Sequence, residues 1–390
     1  MEAVSKGRII LHGTLKPKVV EELEARLAEY IGVKHAIGAS LGRTALLVLL
    51  KSIGIEREDE VIMPAYICEV VPNAVLKSGG IPVFVDIEPD DYHISIPHLK
   101  SLLSERTRAV IINHTFGYPE DVDRIKDALG DRDIYLIEDV AQALGAKYKG
   151  RRAGSLGDAA FLSLSKNIFN IGGGAITTNN ESIASKAESL LSGAKANSLF
   201  THLLIGLMSF LETRRVHSSF AKCYFNMSGR FGKKSGALTK SSYSSLKIPE
   251  SLAISEREAS RAISQLKKLD SLNEKRRHHR DILDNLLKEA KNLEILKPPS
   301  ANSEPVCSWY VIRLRDSGSR DRVVKMLARQ GVFLYRFWDP IPIESRKYNN
   351  QSPADLPEAV RKTRATLVFK MDPNLSKKQL VKIGKALLSV

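Results

Sequence analysis

The chain has 390 residues, 43% of them hydrophobic, with 25 glycines and 16 prolines; this suits a globular protein of two domains and excludes a disordered or fibrous one. Its three cysteines, Cys68, Cys223 and Cys307, are widely spaced and odd in number, so they make neither a disulfide framework nor a zinc motif and suit a reducing cytoplasm. A formal net charge of +15 would attract nucleic acid, anionic membranes or phosphorylated substrates, yet no zinc-finger, basic-zipper or RNA-recognition pattern accompanies it, and a generic solvated surface is the plainer reading.

The opening Met1-Glu-Ala-Val-Ser has no basic segment followed by an apolar one, so no secretory signal is expected. Val19 to Tyr30 reads as an amphipathic helix, with Val20, Leu23, Leu27 and Ile31 on one side and charges between. Thr44 to Ile53 is a more apolar, buried helix. Strand-like and helix-like segments then alternate. Glu60-Val-Ile-Met is a strand, Val70 to Lys77 a helix, Pro82-Val-Phe-Val-Asp86 a strand, and Ile96 to Leu103 a helix. Ala109 to Asn113 is a strand, Val122 to Leu129 a helix, and Ile134 to Ile137 a strand. This rhythm predicts an α/β domain with a mostly parallel central sheet and helices on both faces.

After Asn180 the pattern changes. A helix, an apolar run from Leu199 to Leu211 and a Ser/Lys/Gly-rich stretch from Ser228 to Lys247 follow. The run includes Thr201, His202 and Ser209 and is shorter than the ~20 residues a membrane span needs. A long helix is expected from Ser255 to Glu289, with its His278-His279 pair on different sides, so metal binding there is not expected. Strands at Cys307 to Leu314 and Val332 to Arg336 flank a helix at Arg320 to Arg329, and a last helix starts near Ser376. The division is a large domain over residues 1–250, with an apolar insert at about 197–215, and a linking helix with a smaller C-terminal α+β domain over 251–390.

Two strand ends carry the chemistry. Ile134-Tyr-Leu-Ile-Glu-Asp139 is an apolar stretch ending in a carboxylate, and 27 positions later the apolar stretch from Ala159 to Leu164 leads to Lys166. Open α/β sheets bind ligands at the carboxyl ends of their strands. An amine and a carboxylate brought there suit pyridoxal phosphate, the lysine forming the Schiff base and the acid pairing with the pyridinium nitrogen.

The block Ile137-Glu-Asp-Val-Ala-Gln-Ala-Leu-Gly-Ala-Lys-Tyr-Lys-Gly-Arg-Arg-Ala-Gly-Ser-Leu-Gly-Asp158 resembles the DegT/DnrJ/EryC1/StrS family of sugar aminotransferases. That family has Glu-Asp-x-Ala-Gln/His, then Gly-x-x-Tyr-x-Gly, then Gly-x-x-Gly-Asp. Glu60-Val-Ile-Met-Pro64, Pro82 to Asp86, His114 with Gly117, Gly173-Gly174-Ala-Ile-Thr177 and Ile254 to Asp270 support the resemblance, which runs from about Glu21 to Lys268 and more weakly to the C-terminus.

The resemblance implies a fold-type I pyridoxal phosphate-dependent transferase: an aminotransferase moving an amino group from glutamate or glutamine to a keto sugar, nucleotide-linked, in polysaccharide or glycoconjugate biosynthesis. Lys166 and Asp139 would be catalytic. Gly42, Arg43, Cys68, Gln142 and Ser163 would join them in holding the cofactor, with the phosphate on the helix beginning near Thr44. The family reads Ser-Gly-Thr at that start, where this chain has Leu41-Gly42-Arg43, so Arg43 either touches the phosphate or points to solvent. Ser163 is taken before Ser165 as the hydroxyl ligand. Cys68 stands where many members place an aromatic over the ring, and Leu144 where a histidine is common. Gln142 lies near the ring or is a satisfied polar group at a helix start. His114 and Arg336 are substrate candidates, Arg336 for the donor carboxylate or as a surface salt bridge.

A homodimer is implied, with no specific nucleic acid and no metal. The apolar run with Arg214 and Arg215 reads as packing or a dimer contact, or else as an interfacial helix on the inner face of a membrane, which leaves a peripheral contact through 199–215 open beside the cytoplasmic placement. The rival activities are a pyridoxal phosphate-dependent sugar dehydratase, whose relatives commonly lack the lysine, and a non-catalytic regulatory or nucleic-acid-binding protein that retains the fold.

Overall fold

The computed structural model describes residues 16–166, 172–194, 253–297, 302–338, 342, 348 and 351–390. The apolar run at 199–211, Arg214, Arg215, Cys223 and the expected domain changeover at 250/251 lie outside the described residues. The main sheet is built from β1 (His35–Ala39), β2 (Glu60–Pro64), β3 (Ile81–Val85), β4 (Thr107–Asn113), β5 (Tyr135–Asp139), β8 (Ala159–Ser163) and β9 (Gly174–Thr178). The short β6 (Lys147–Tyr148) and β7 (Arg151–Arg152) form a hairpin between β5 and β8. The order across the main sheet is β3-β2-β4-β5-β8-β9-β1. Pairings from β3 through β8 are parallel, and β9 alone runs against both neighbours. The expected mostly parallel sheet is present. β1 and β9 add two strands that the apolar pattern did not single out.

Strand parity sorts the helices. Val61, Met63, Ile111, Ile137 and Phe161 bury one face of the sheet against α2 (Gly42–Ser52), α3 (Val70–Ser78) and α6 (Glu181–Leu191). The alternate residues face α1 (Lys18–Ile31) and α7 (Glu256–Leu266) at one end, and α4 (Ile96–Leu102) and α5 (Val122–Leu129) at the other. Leu46, Leu49 and Leu50 of α2 are fully buried, each stabilising the fold by about 1.5–3 kcal/mol. Caps follow from local sequence. Asn180 accepts from the Ser182 and Ile183 N–H groups to start α6, and Ser255 with Glu258 forms a capping box on α7. Gly32, at φ 84°, ends α1 in the left-handed conformation.

The long helix expected from Ser255 to Glu289 is two helices, α7 and α8 (Leu269–Leu286). At Lys268 the backbone bond switches to the i−3 carbonyl of Gln265, so the chain kinks while staying right-handed helical. The kink lets α7 pack against α1 while Leu283 of α8 joins a second core. That core covers a three-stranded antiparallel sheet of β10 (Leu293–Ile295), β12 (Trp309–Leu314) and β13 (Thr366–Lys370), under α8, α9 (Arg320–Arg329) and α11 (Lys377–Leu388). The remaining short strand, β11 (Ser303–Glu304), pairs with β6. Val332 to Arg336, expected as a strand, makes one bridge only, Tyr335 to Val368, before the chain turns toward Trp338.

The two parts meet along β3 and the loop after it. The Gln351 side-chain amide pairs with both backbone groups of Phe84, at 2.5 and 2.7 Å, and so covers the free edge of β3. The Asp86 carboxylate accepts the Glu358 and Ala359 N–H groups at the start of α10 (Pro357–Ala365), at 2.9 and 2.8 Å. Lys362, fully buried, donates to the carbonyls of Glu88 and Asp91, and Tyr92 meets Thr366 at 2.5 Å.

Candidate active site

Register alone brings the carboxyl-terminal ends of β4 and β5 together and sets them beside the middle of β8: Asp139 lies opposite Asn113 of β4 and Phe161 of β8. Because side chains alternate along a strand, Glu138 and Asp139 face opposite sides of the sheet. Asp139 falls on the α2 side, the same side as Phe161 and Ser163, and is 4% exposed. Its Oδ1 accepts the Ala141 N–H at 2.9 Å. Burial pushes its carboxyl above the ordinary range, against the opposing pull of Lys166. Lys166 itself is exposed, on the turn that follows β8. The two residues separated by 27 positions therefore share one electrostatic site.

Opposite them lies the start of α2. Its N-cap residue, Leu41, is extended at φ −150° and offers no side-chain cap. The first-turn N–H groups, with the helix dipole behind them, make an anion site. Gly42 packs against the end of β8: a Cβ there would lie 3.1 Å from the Leu162 carbonyl and 3.2 Å from Ser163 Cβ. Gly174 of β9 is tighter still, since a Cβ would come within 2.4–2.5 Å of Leu41 and Gly42 backbone. Two glycines thus let the helix start reach Ser163. The Ser163 hydroxyl is 3.2 Å from that of Ser165, so Ser165, which the sequence reading ranked second, belongs to the same cluster. Burial lowers the pKa of the half-buried Arg43, and nearby Cys68, also half-buried, opposes the change.

Gln142 is buried, and its amide oxygen accepts the Phe116 N–H at 3.2 Å; its NH2 has no partner among the described residues. Phe116 is held at φ 59°, an uncommon conformation for a non-glycine residue. It joins an aromatic cluster absent from the sequence reading. Tyr66, fully buried, has ring centroids 5.0 Å from Tyr92, 6.0 Å from Phe116 and 5.3 Å from Trp338, and its hydroxyl donates to the Phe337 carbonyl at 3.0 Å. Phe116 and Trp338 stack with an interplanar angle of 17°. Trp338 and Cys307 also have positive φ, so three left-handed non-glycine residues gather where the two parts of the molecule meet. Four distant segments build this wall, which no local motif could announce.

Both substrate candidates, His114 and Arg336, have partners within the chain. His114 lies in the interior. It is fully buried, its Nδ1 accepts the Glu120 N–H at 3.0 Å, and its Nε2 donates to Glu138 at 2.8 Å, a tautomer assigned from these bonds. Its backbone N–H bonds the Asp139 carbonyl at 3.3 Å, so His114 clamps the end of β5. Arg336 is ion-paired with Asp321 of α9. Leu144 is fully buried in the core beside α1 and α7. Among the described residues no group of three or more His, Cys, Asp or Glu could hold a metal, and no helix is long and apolar enough to cross a membrane.

The donors fit pyridoxal phosphate: an uncapped helix start with two hydroxyls for the phosphate, a buried carboxylate short of donors for the ring nitrogen, and an amine close to it. The model of the DegT/DnrJ/EryC1/StrS aminotransferase family matches residues 2–213 and 224–388. A pleiotropic regulatory protein of Geobacillus stearothermophilus is 29% identical over 370 residues, 92% of this chain and 86% of that one. A GDP-perosamine synthase of Caulobacter vibrioides is 39% identical over 171 residues, 43% of this chain, which spans less than half of that enzyme's length, 46%. The solved structure of S. venezuelae DesV in complex with a ketimine intermediate superposes with TM-score 0.75 at 25% identity, covering 96% of this chain and 89% of that one.

Proposed function

Since the chain belongs to the DegT/DnrJ/EryC1/StrS aminotransferase family, we propose that it uses pyridoxal phosphate to move an amino group from glutamate or glutamine to a keto sugar carried on a nucleotide. The product would serve polysaccharide or glycoconjugate biosynthesis in the cytoplasm. The observation that carries this reading is the convergence of Lys166, Asp139 and the α2 start at Ser163 on one side of the sheet. The likeness to GDP-perosamine synthase supports the nucleotide-linked acceptor.

When bound, the cofactor supplies an electrophilic carbon for amine exchange and a ring that withdraws electrons from the substrate carbon. The Lys166 Nζ would be the amine that holds the cofactor and the base that carries a proton to and from the substrate carbon. The Asp139 carboxylate keeps a proton on the ring nitrogen, which answers its own shortage of donors. The α2 N–H groups, Ser163 and Ser165 hold the phosphate, Gly42 permits the close approach, and Arg43 adds a cation at its edge. The Gln142 NH2 is the donor left over for the ring or its oxygen. Cys68 lies beside Arg43 in place of a ring-stacking aromatic. The wall of Tyr66, Phe116 and Trp338 excludes water. A homodimer completes the site.

The likeness to a pleiotropic regulatory protein favours a second reading, a regulator that kept the fold. The purified protein with pyridoxal phosphate should show a visible absorption band that Lys166→Ala lacks, and should aminate keto sugars under nucleoside diphosphates with glutamate, at a rate that Lys166→Ala lowers by at least about 10⁴-fold. Identical spectra for the two proteins would end the enzyme reading. A steep salt dependence of DNA affinity would then favour the regulator.

A further inference from the structure

The positive charge is concentrated. Residues 317–390, about a fifth of the chain, contain 15 Lys and Arg against 6 Asp and Glu, and so hold nine of the fifteen net positive charges. Much of it lies on two adjacent helices. On α9, Arg322, Lys325 and Arg329 are exposed and spaced three and four apart, which puts them on one side. On α11, Lys378, Lys382 and Lys385 repeat the arrangement. Both helices bury their other sides in one core, through Val323 and Leu327 and through Leu380, Ala386 and Leu387, so each stripe lies on the side turned away from it.

The helices touch. Gln330 Nε2 donates to Ser389 Oγ at 3.4 Å, and the Lys382 Nζ lies 3.4 Å from where a Cβ on Gly331 would be. Acidic compensation is missing. Asp321, the sole carboxylate on α9, pairs with Arg336, and α11 has none. None of the six cations has an ion-pair partner among the described residues. A protein that needed only a solvated surface would intersperse the two signs.

We propose that the α9–α11 face docks on an anionic phospholipid bilayer. Four of the six cations are lysines, whose hydrated point charges suit headgroups, and Leu388 at the end of α11 is 48% exposed beside them, ready to enter the interface. Among the described residues the face offers no exposed aromatic on which bases could stack, which disfavours a nucleic acid. This surface contains no residue of the apolar run at 199–211 and does not rest on the aminotransferase reading.

The test is sedimentation of the full-length holoprotein with vesicles of phosphatidylcholine, with and without phosphatidylglycerol. Binding should require phosphatidylglycerol and weaken steeply as salt rises from about 0.1 M. Each cation near an anionic surface changes partition on the order of fivefold, so K378Q/K382Q/K385Q should lose on the order of 100-fold, and R322Q/K325Q/R329Q independently about the same. Leu388→Ser should lose less. Circular dichroism, melting and pyridoxal phosphate absorbance of these exposed-site variants should match wild type. Equal binding with and without phosphatidylglycerol, or unchanged binding of both triple variants, overturns the proposal. Tighter binding of a DNA duplex than of vesicles at the same salt also overturns it and assigns the face to nucleic acid.

Discussion

At the end of β5, adjacent carboxylates on the two faces of the sheet meet opposite surroundings. Glu138, on the α1 and α7 side, accepts the N–H groups of Gly154, Leu156 and Gly157 at 2.7–2.8 Å and the Nε2–H of His114 at 2.8 Å. Burial works to raise its carboxyl, but these donors outweigh burial and hold it below the ordinary range. Asp139, on the α2 side, has one N–H among the described residues, from Ala141, and burial wins. A buried charge is stable when its lone pairs are filled and costly when they are not. Glu138 is therefore a structural anchor for the turn at Gly154 to Gly157. Asp139 is a carboxylate short of hydrogen-bond donors among the described residues, which supports the proposed pairing with a protonated ring nitrogen.

Asp139→Asn probes this difference most strongly. Activity should fall on the order of 10²–10³-fold, as for loss of a preorganised charge in a catalytic site. The cofactor-free protein should melt higher near neutral pH, because a buried charge short of donors is gone. A drop in both activity and melting temperature would erase the contrast. Glu138→Gln should do the reverse: a loss of about 3 kcal/mol in denaturant unfolding, from misfit donors in a dry site, with a smaller effect on kcat. Its pH signature follows in sign. A carboxyl depressed in the fold stabilises above its ordinary value of 4.5, and that stability is lost as pH falls through the folded value. Asp139, raised from 3.8, penalises the fold above that pH and relieves it on protonation. Acid unfolding should therefore be shallower in Glu138→Gln than in wild type.

The smallest effect extends the comparison to the junction. Burial, assisted by Arg313, pulls the Lys362 amine down to about 7 from 10.5, although its ammonium donates to two carbonyls. Between those values the unfolded chain binds the extra proton, so stability should rise with pH, by at most about 1.4 kcal/mol per pH unit. Lys362→Met should flatten the rise in melting temperature between pH 7 and 9. An unchanged slope would show that the two carbonyls keep the amine charged.

Much of this was legible beforehand. Lys166, Asp139, Gly42 and Ser163 sit at ends of apolar segments or helices, where local pattern predicts position, and the parallel sheet follows from alternating periods. β1 and β9 were missed because Ala- and Gly-rich five-residue strands show little periodicity. The partners of His114, Glu138 and the Glu120 N–H, could not be read from the sequence, because a buried histidine and a site histidine look alike until their partners are known. Ser165 was ranked second because a hydroxyl's usefulness depends on where the turn carries it.

The sequence thus determined the alternation of strands and helices in the parallel part of the sheet and the supply of side chains able to attack, titrate or donate. Tertiary structure decided what a one-dimensional string does not encode, namely which neighbours satisfy each buried group. Glu138 and Asp139 differ by one methylene and one position. Strand pleating sends one toward three N–H groups and an imidazole and the other toward a single N–H among the described residues, and the free energy of a buried charge depends on that shell.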